Sequence, residues 1–178
     1  AADETLKCQV LPAWRPEKAM NLSKPDYLEY IAKLSEVSGV EIKDFESRIR
    51  ALKVRLEFFV ENGCTVSDHS LDYVMYEPAS IEEIEEIFAK RLAGKLPDFT
   101  EKKKFETAFM LELGREYHKK NWVMQLHFGV KRDNNQKIAK EIGPDAGVDC
   151  IRNDTPGAQM ADFLNALITT DELPKTII

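Results

Sequence analysis

The order of strand-like and helix-like patterns along this 178-residue sequence restricts its fold more than any other feature. Residues 7–14 and 123–130 alternate apolar and polar side chains as strands do, and residues 64–70 form a shorter strand pattern. Long helical patterns separate these segments. Parallel strands need a crossover connection, which a helix usually supplies. We therefore predict an α/β fold with parallel strands, in a single domain of residues 1–178.

Apolar periodicity and start signals mark the helices. In residues 43–62, apolar side chains recur every three or four positions, which is typical of an amphipathic helix. These side chains belong to Phe45, Ile49, Leu52, Leu56 and Phe59. Ser80 with Glu83 forms a capping box, and Thr155 before Pro156 is a second start signal. The residues predicted to face inward behind these starts are Ile81, Ile84, Ile87 and Phe88, and then Met160, Phe163, Leu164 and Leu167.

Residues 72–121 contain more helix than a crossover connection needs. Two helical patterns joined at "GKLPDF" fill this interval. We interpret them as a helical hairpin inserted at the edge of the barrel or sheet.

Charge and composition limit the partners of the chain. The net charge is −6 and the lysines are interspersed with glutamates, so no basic stripe for nucleic acid is present. No apolar run approaches the roughly 20 residues of a membrane span. Three cysteines form no CxxC pair, which argues against a structural zinc site and a complete disulfide set. We expect no nucleic-acid or membrane partner, and a cytoplasmic location.

Polar side chains stand at the ends of all three strand patterns. Alternation points Met124, Leu126 and Phe128 toward covering helices, and Gln125, His127 and Gly129 to the other face. Arg15 ends the first pattern, on the face of Gln9, Leu11 and Ala13. Asp68 and His69 end the short pattern on opposite faces, with Ser67 on the face of His69. In a (β/α)₈ barrel, the carboxyl ends of the strands carry the active site.

The residue types at these ends indicate an anionic substrate and acid–base chemistry. Arginine presents a rigid fork that suits a carboxylate, and histidine exchanges a proton near neutral pH. Arg132, five residues after His127, adds a second cation in the loop above that strand. Each residue also has a structural interpretation. His127 fits a hydrogen-bonded structural histidine, Arg15 a surface ion pair, Asp68 and His69 a turn, and "KRDNN" a solvated loop.

Five segments in a fixed order carry a resemblance to a known family. They are "LPAWRPEKAMN" (11–21), "GCTVSDHSL" (63–71), "MQLHFGVKRDNN" (124–135), "GVDCIRND" (147–154) and "LPKTII" (173–178). The set resembles uronate isomerase, also called glucuronate isomerase, over nearly the whole chain. The resemblance implies the amidohydrolase superfamily and part of a metal-dependent (β/α)₈ TIM-type barrel. It also implies interconversion of D-glucuronate with D-fructuronate and of D-galacturonate with D-tagaturonate.

The resemblance also implies roles for particular residues. His127 and Arg132 match the family's "LHxGxxR" segment, which lines the substrate pocket, and His127 is the expected catalytic residue. Arg15 matches the arginine of the "FRPD" segment and is expected to bind the sugar acid. Asp68 and His69 match the "SDH" segment and are expected to bind substrate as well.

The chain departs from the family pattern in several places. Glu17 stands where the family usually has Asp, and Trp14 where it usually has Phe. Family members hold a divalent metal, expected to be zinc, with a His-x-His pair on the first barrel strand and an Asp after the last. This chain has no such pair, since its histidines are His69, His118 and His127. No metal ligand is therefore expected in this chain.

The length of the chain bears on its activity. A complete barrel needs about 250 residues, so the chain resembles an internal segment of the enzyme and is expected to be inactive alone. Its open strand edges favour a homo-oligomer. Two alternatives stay open: a segment of a metal-dependent hydrolase of the same superfamily, and a non-catalytic binding module. The binding module predicts that the strand-end polar residues are scattered in space.

Overall fold

The computed structural model describes residues 7–143, 145–153 and 156–178. The helices are α1 (Glu17–Met20), α2 (Tyr27–Ser38), α3 (Phe45–Glu61), α4 (Ile81–Leu92), α5 (Phe99–Lys119), α6 (Gln136–Ile142) and α7 (Gly157–Ile168). The strands are β1 (Val66–Ser70), β2 (Val123–His127), β3 (Val130–Lys131), β4 (Cys150–Ile151) and β5 (Lys175–Ile177). In these described residues, every helix is too short or too polar to cross a membrane. The predicted α/β class is confirmed.

A three-stranded parallel sheet organises the fold. Its order, β1-β2-β5, follows the order of the strands in the sequence. Trp14 extends the sheet beyond β1, because its N–H donates to the Val66 carbonyl at 3.0 Å and its carbonyl accepts from the Asp68 N–H at 2.8 Å. Helices connect each strand to the next. Parallel neighbours in sequence order form the wall of a barrel, so the expected part of a (β/α)₈ barrel is confirmed.

The two faces of this sheet have different surroundings. One face carries Ser67, His69, Met124 and Leu126, whose side chains are all buried. The predicted packing of Met124 and Leu126 in the core is therefore confirmed. The opposite face carries Asp68, Gln125 and His127, which are only partly covered. This second face is where polar side chains can meet a ligand.

Local sequence signals place two of the helices correctly. In α3, which spans most of residues 43–62, the predicted stripe faces the core: Phe45, Ile49, Leu52 and Leu56 are buried and Phe59 is partly buried. α4 begins at the predicted capping box, where Ser80 Oγ accepts from the Glu83 N–H at 3.3 Å. Ile84, Ile87 and Phe88 are buried as predicted. The inward prediction for Ile81 is wrong: it is 55% exposed, since it borders an open groove between α3, α4 and α5.

α7 begins at Gly157, and Thr155 lies outside the described residues. Of the side chains predicted to face inward, Phe163 and Leu167 are buried, and Met160 and Leu164 are partly buried.

α4 and α5 lie within the interval 72–121, and α5 is part of the core. α5 contacts β2, α1 and α7. Its core side chains are Phe105, Phe109, Leu113 and Tyr117. Gly114 permits the close approach of α7, because a Cβ at this position would lie 3.0 Å from Leu167 Cδ1. α5 therefore packs in the core between β1 and β2 in chain order, and the inserted helical hairpin at 72–121 stays a prediction.

Two predicted strands are shorter than their patterns. Within residues 7–14 only Trp14 pairs with β1, and Val10 is 74% exposed. Alternation becomes a strand only where a neighbour supplies ladder hydrogen bonds, so the strand prediction for residues 7–13 is wrong. β2 ends at His127, because Gly129 adopts φ +77° and turns the chain into β3, which pairs antiparallel with β4. Residues 128–130 therefore do not continue the strand.

Glu106, on α5, is a buried carboxyl whose ionisation should weaken the fold. Burial raises its pKa to about 7, against the opposing effect of Lys102 at 3.5 Å. A carboxyl group whose pKa is raised by folding stabilises the fold. This stabilisation is complete below the pKa of the unfolded chain, about 4.3, and is lost as pH rises through the folded-state pKa, about 7. We expect this group to lower the free energy of unfolding by on the order of 3 kcal/mol between about pH 5 and pH 8.

Urea unfolding at both pH values measures this effect. Glu106→Gln should remove that part of the pH dependence, whereas Glu112→Gln, on a partly exposed face of the same helix, should keep it. An unchanged pH dependence in Glu106→Gln would contradict the prediction.

Candidate substrate-binding site

Three polar side chains converge on the partly covered face of the sheet, near the carboxyl ends of neighbouring strands. Arg15 follows Trp14, Asp68 lies in β1, and His127 is the last residue of β2. Because β1 lies between Trp14 and β2, Asp68 contacts both of the other side chains. We call Arg15, Asp68 and His127 the strand-end cluster.

His127 is held at both of its ring nitrogens. Nδ1 donates a hydrogen bond to Asp68 Oδ1, since an ionised carboxylate only accepts. Nε2 lies 3.0 Å from the side-chain nitrogen of Gln125, whose amide then donates to it. This pairing assigns the neutral ring its proton on Nδ1 and its lone pair on Nε2. The side chain is 56% exposed, so a ligand has access to the ring.

Arg15 lies between two carboxylates. Its Nη1 is 3.4 Å from Asp68 Oδ2, and its Nε is 3.3 Å from Glu17 Oε2. The side chain is 53% exposed. The guanidinium is thus oriented by the protein and still open toward solvent, as a site for an anionic ligand requires.

Arg132 lies in the turn after β3, where it pairs with two other carboxylates. Its Nη1 is 2.8 Å from Asp149 Oδ2 and 3.3 Å from Asp145 Oδ1. The N–H of Asp133 and the Arg132 guanidinium together hold the pKa of Asp149 below its usual range. Within the described part of the chain, no hydrogen bond or ion pair joins Arg132 to the cluster.

His69 does not lie beside Arg15 and His127. It is fully buried on the helix-covered face, with its ring 5.6 Å from the ring of Tyr117. Its Nδ1 is 3.5 Å from Glu17 Oε1, on the core side of that carboxylate. Alternation along β1 causes this placement, because consecutive residues of a strand point to opposite faces. His69 therefore does not lie at the surface of the strand-end cluster, and its expected role in substrate binding stays a prediction.

Two further residues belong to this site and received no role from the sequence. Gln125 shares a face with His127, as alternation indicates, but only the structure shows its contact with the ring. Glu17 opens α1 and accepts a hydrogen bond from the Ser70 N–H at 3.0 Å. In the sequence, the position of Glu17 two residues after Arg15 was the one signal that could have indicated a place in this site.

The fold and the cluster together define a class of protein. Polar groups gathered at the carboxyl ends of successive parallel strands are the arrangement of α/β-barrel proteins that bind their ligands at this end. The convergence of Arg15 and His127 on Asp68 is also contrary to the scattered arrangement that a non-catalytic module predicted.

Comparison with known proteins identifies the family. The family model described as glucuronate isomerase matches residues 1–178, so this chain belongs to the glucuronate isomerase family. It is 60% identical over 178 residues to the uronate isomerase of Lachnoclostridium phytofermentans, and 57% identical over 176 residues to that of Lachnospira eligens. These matches cover 100% and 99% of this chain but 38% of each relative.

Two solved structures resemble the chain. The crystal structure of uronate isomerase from Thermotoga maritima matches with a TM-score of 0.83 at 30% identity, over 93% of this chain and 36% of that one. Glucuronate isomerase from Caulobacter crescentus matches with a TM-score of 0.75 at 22% identity, over 88% of this chain and 33% of that one, and supports the fold alone. The chain thus spans 33–38% of the length of these four proteins.

The family belongs to a metal-dependent superfamily, which raises the question of metal ligands in this chain. In residues 7–143, 145–153 and 156–178, no group of three or more His, Cys, Asp or Glu side chains could hold a metal ion. Asp68 and His127, the two side chains of the cluster that could act as ligands, are also hydrogen-bonded to each other. The side chains that the structure describes therefore supply no complete ligand set of their own.

Proposed function

We propose that this chain is the segment of an aldose–ketose isomerase that grips a sugar acid through the strand-end cluster. The full-length protein would interconvert D-glucuronate with D-fructuronate and D-galacturonate with D-tagaturonate. The observation that carries this proposal is the contact of Arg15 and His127 with the same carboxylate, Asp68. Relatives named uronate isomerase at 60% and 57% identity support the choice of reaction.

The cluster supplies the groups that this chemistry needs at the substrate. Interconversion of an aldose and a ketose moves one proton between neighbouring carbons and another between neighbouring oxygens. Arg15 binds the substrate carboxylate or hydroxyls and thereby fixes the reacting carbons relative to His127. Asp68 fixes the His127 tautomer, so that the Nε2 lone pair accepts the proton of a substrate hydroxyl that takes the place of the Gln125 amide, and then returns a proton to the neighbouring substrate oxygen. Arg132 provides a second cation, from the turn after β3. The group that takes the carbon-bound proton lies outside this chain in this proposal.

The remaining assignments concern cofactor, partners and location. We infer a divalent metal, zinc, with its ligands outside this chain, so none of the steps above depends on a metal held here. The partner is a small-molecule sugar acid, without nucleic acid or membrane, and the assembly is a homo-oligomer. A cytoplasmic location is supported by Cys8, Cys64 and Cys150, which are all free.

Activity of the full-length protein tests the proposal. We expect the full-length protein that contains this chain to convert D-glucuronate to D-fructuronate. NMR of the reaction mixture measures this conversion. The 178-residue chain alone should show no turnover, because its three parallel strands form only part of a barrel. Failure of the full-length protein to isomerise glucuronate and galacturonate would end the proposal, and turnover by the chain alone would contradict the requirement for the remaining barrel.

A further inference from the structure

The carboxylate of Glu17 joins three parts of the site. Oε1 accepts from the Ser70 N–H at 3.0 Å, at the carboxyl end of β1. Oε2 is buried and lies 3.3 Å from Arg15 Nε. His69 Nδ1 contacts Oε1 from the core side at 3.5 Å. The carboxylate is therefore fixed to the strand that carries Asp68 and faces the arginine beside it.

The helix that carries Glu17 is itself held by buried groups. Arg48 Nη1 donates to the Ala19 carbonyl at 2.8 Å, and the Tyr27 hydroxyl donates to the same oxygen at 3.2 Å. Arg91 Nε donates to the Leu22 carbonyl at 2.7 Å, just after α1. Glu17 thus extends from a helix attached to the core, whereas Arg15 is half-exposed.

We propose that Glu17 is a positioning residue for Arg15, which rests on the proposed role of Arg15 in substrate binding. Glu17 Oε2 forms an ion pair with Nε, without a hydrogen bond between the described atoms, and Asp68 lies near Nη1, so the rest of the guanidinium is left for the substrate anion. A negative charge is required at this position, because an amide anchored on Ser70 would turn its own N–H donors toward Arg15 Nε. Donor would then face donor, and the guanidinium would move away from Asp68.

Kinetics of the full-length protein separate positioning from general support of the fold. Glu17→Gln keeps the size of the side chain and should raise KM for D-glucuronate about tenfold with kcat within about twofold. Glu17→Asp keeps the charge and should stay within about threefold of the unsubstituted protein. Glu46→Gln is the matched control, because Glu46 also pairs with an arginine. Its partner is Arg50, at 3.6 Å on the exposed face of α3. An unchanged or lowered KM in Glu17→Gln would overturn the proposal, and a lowered KM would show that Glu17 competes with the substrate.

A double-mutant cycle tests whether Glu17 acts through Arg15. If it does, Glu17→Gln adds nothing further to KM once Arg15→Ala is present, because the group that it positions is gone. A purely structural role predicts that the two effects multiply. Multiplying effects would overturn the proposal.

A crystal structure of the Glu17→Gln protein keeps this test independent of the reaction. The Arg15 guanidinium should leave its place beside Asp68, and an unmoved guanidinium would overturn the proposal even if the unsubstituted protein isomerises glucuronate. If that protein is inactive while the guanidinium moves, the proposed function fails and the positioning role of Glu17 stands.

Discussion

His127→Ala in the full-length protein is expected to lower kcat for D-glucuronate about a thousandfold, the middle of the range for loss of a positioned acid–base group. The ring is 56% exposed and makes its described polar contacts with Asp68 and Gln125. Its removal should therefore affect chemistry far more than folding. Steady-state kinetics with D-glucuronate measure the loss, and thermal unfolding verifies that the variant is folded.

His118→Ala provides the matched histidine control. His118 is exposed near the end of α5, where Nδ1 lies 3.0 Å from the Leu173 carbonyl, and it takes no part in the cluster. This variant should retain kcat. A folded His127→Ala protein with kcat within about threefold of the unsubstituted one would show that His127 is structural, which is the alternative that its residue type left open.

Arg48→Ala is expected to lower the free energy of unfolding by about 3–5 kcal/mol, as for loss of a large core side chain. Arg48 is fully buried, and its guanidinium carbon lies 4.3–5.4 Å from the ring centroids of Phe45, Phe88, Phe105 and Phe109. Burial lowers its pKa, because the charged form loses water. The substitution removes these cation–π contacts and the hydrogen bond to Ala19, and it opens a cavity. Urea unfolding measures the effect.

Two other substitutions separate the causes of this loss. Arg50→Ala, on an exposed face of the same helix, should change stability by less than about 0.5 kcal/mol. Arg48→Met refills most of the volume without a charge and should recover part of the loss, because a buried charge is costly unless it is well paired. A loss below about 1 kcal/mol in Arg48→Ala would contradict the packing role.

Much of the site was predictable because strands impose a simple rule on side chains. Once β1 and β2 were recognised, alternation placed Gln125 and His127 on one face of β2 and put Met124 and Leu126 in the core. The same rule placed His69 on the opposite face from Asp68. The substrate-binding role expected of His69 came from its match to the "SDH" segment, and alternation gave no support for it, since the side chain lies on the buried face.

The extent of the strands was less predictable. Residues 7–13 alternate as β1 does, yet they have no ladder partner, and only Trp14 pairs. Gly129 ends β2 by a positive φ, which sends Arg132 into a separate hairpin with Asp149. Periodicity reports which side chains prefer water and does not report where a neighbouring strand lies.

The sequence alone determined the kinds of element, the start of α4 and the inward faces of most helices, since periodicity and capping depend on residues within a few positions of each other. Tertiary structure decided which polar groups meet. His127 and Asp68 are 59 residues apart, and Ser70 and Glu17 are 53 apart, so their contacts exist only after the strands have been placed side by side. Hydrogen bonds and ion pairs need their atoms within a few ångströms, and that proximity is a property of the assembled sheet.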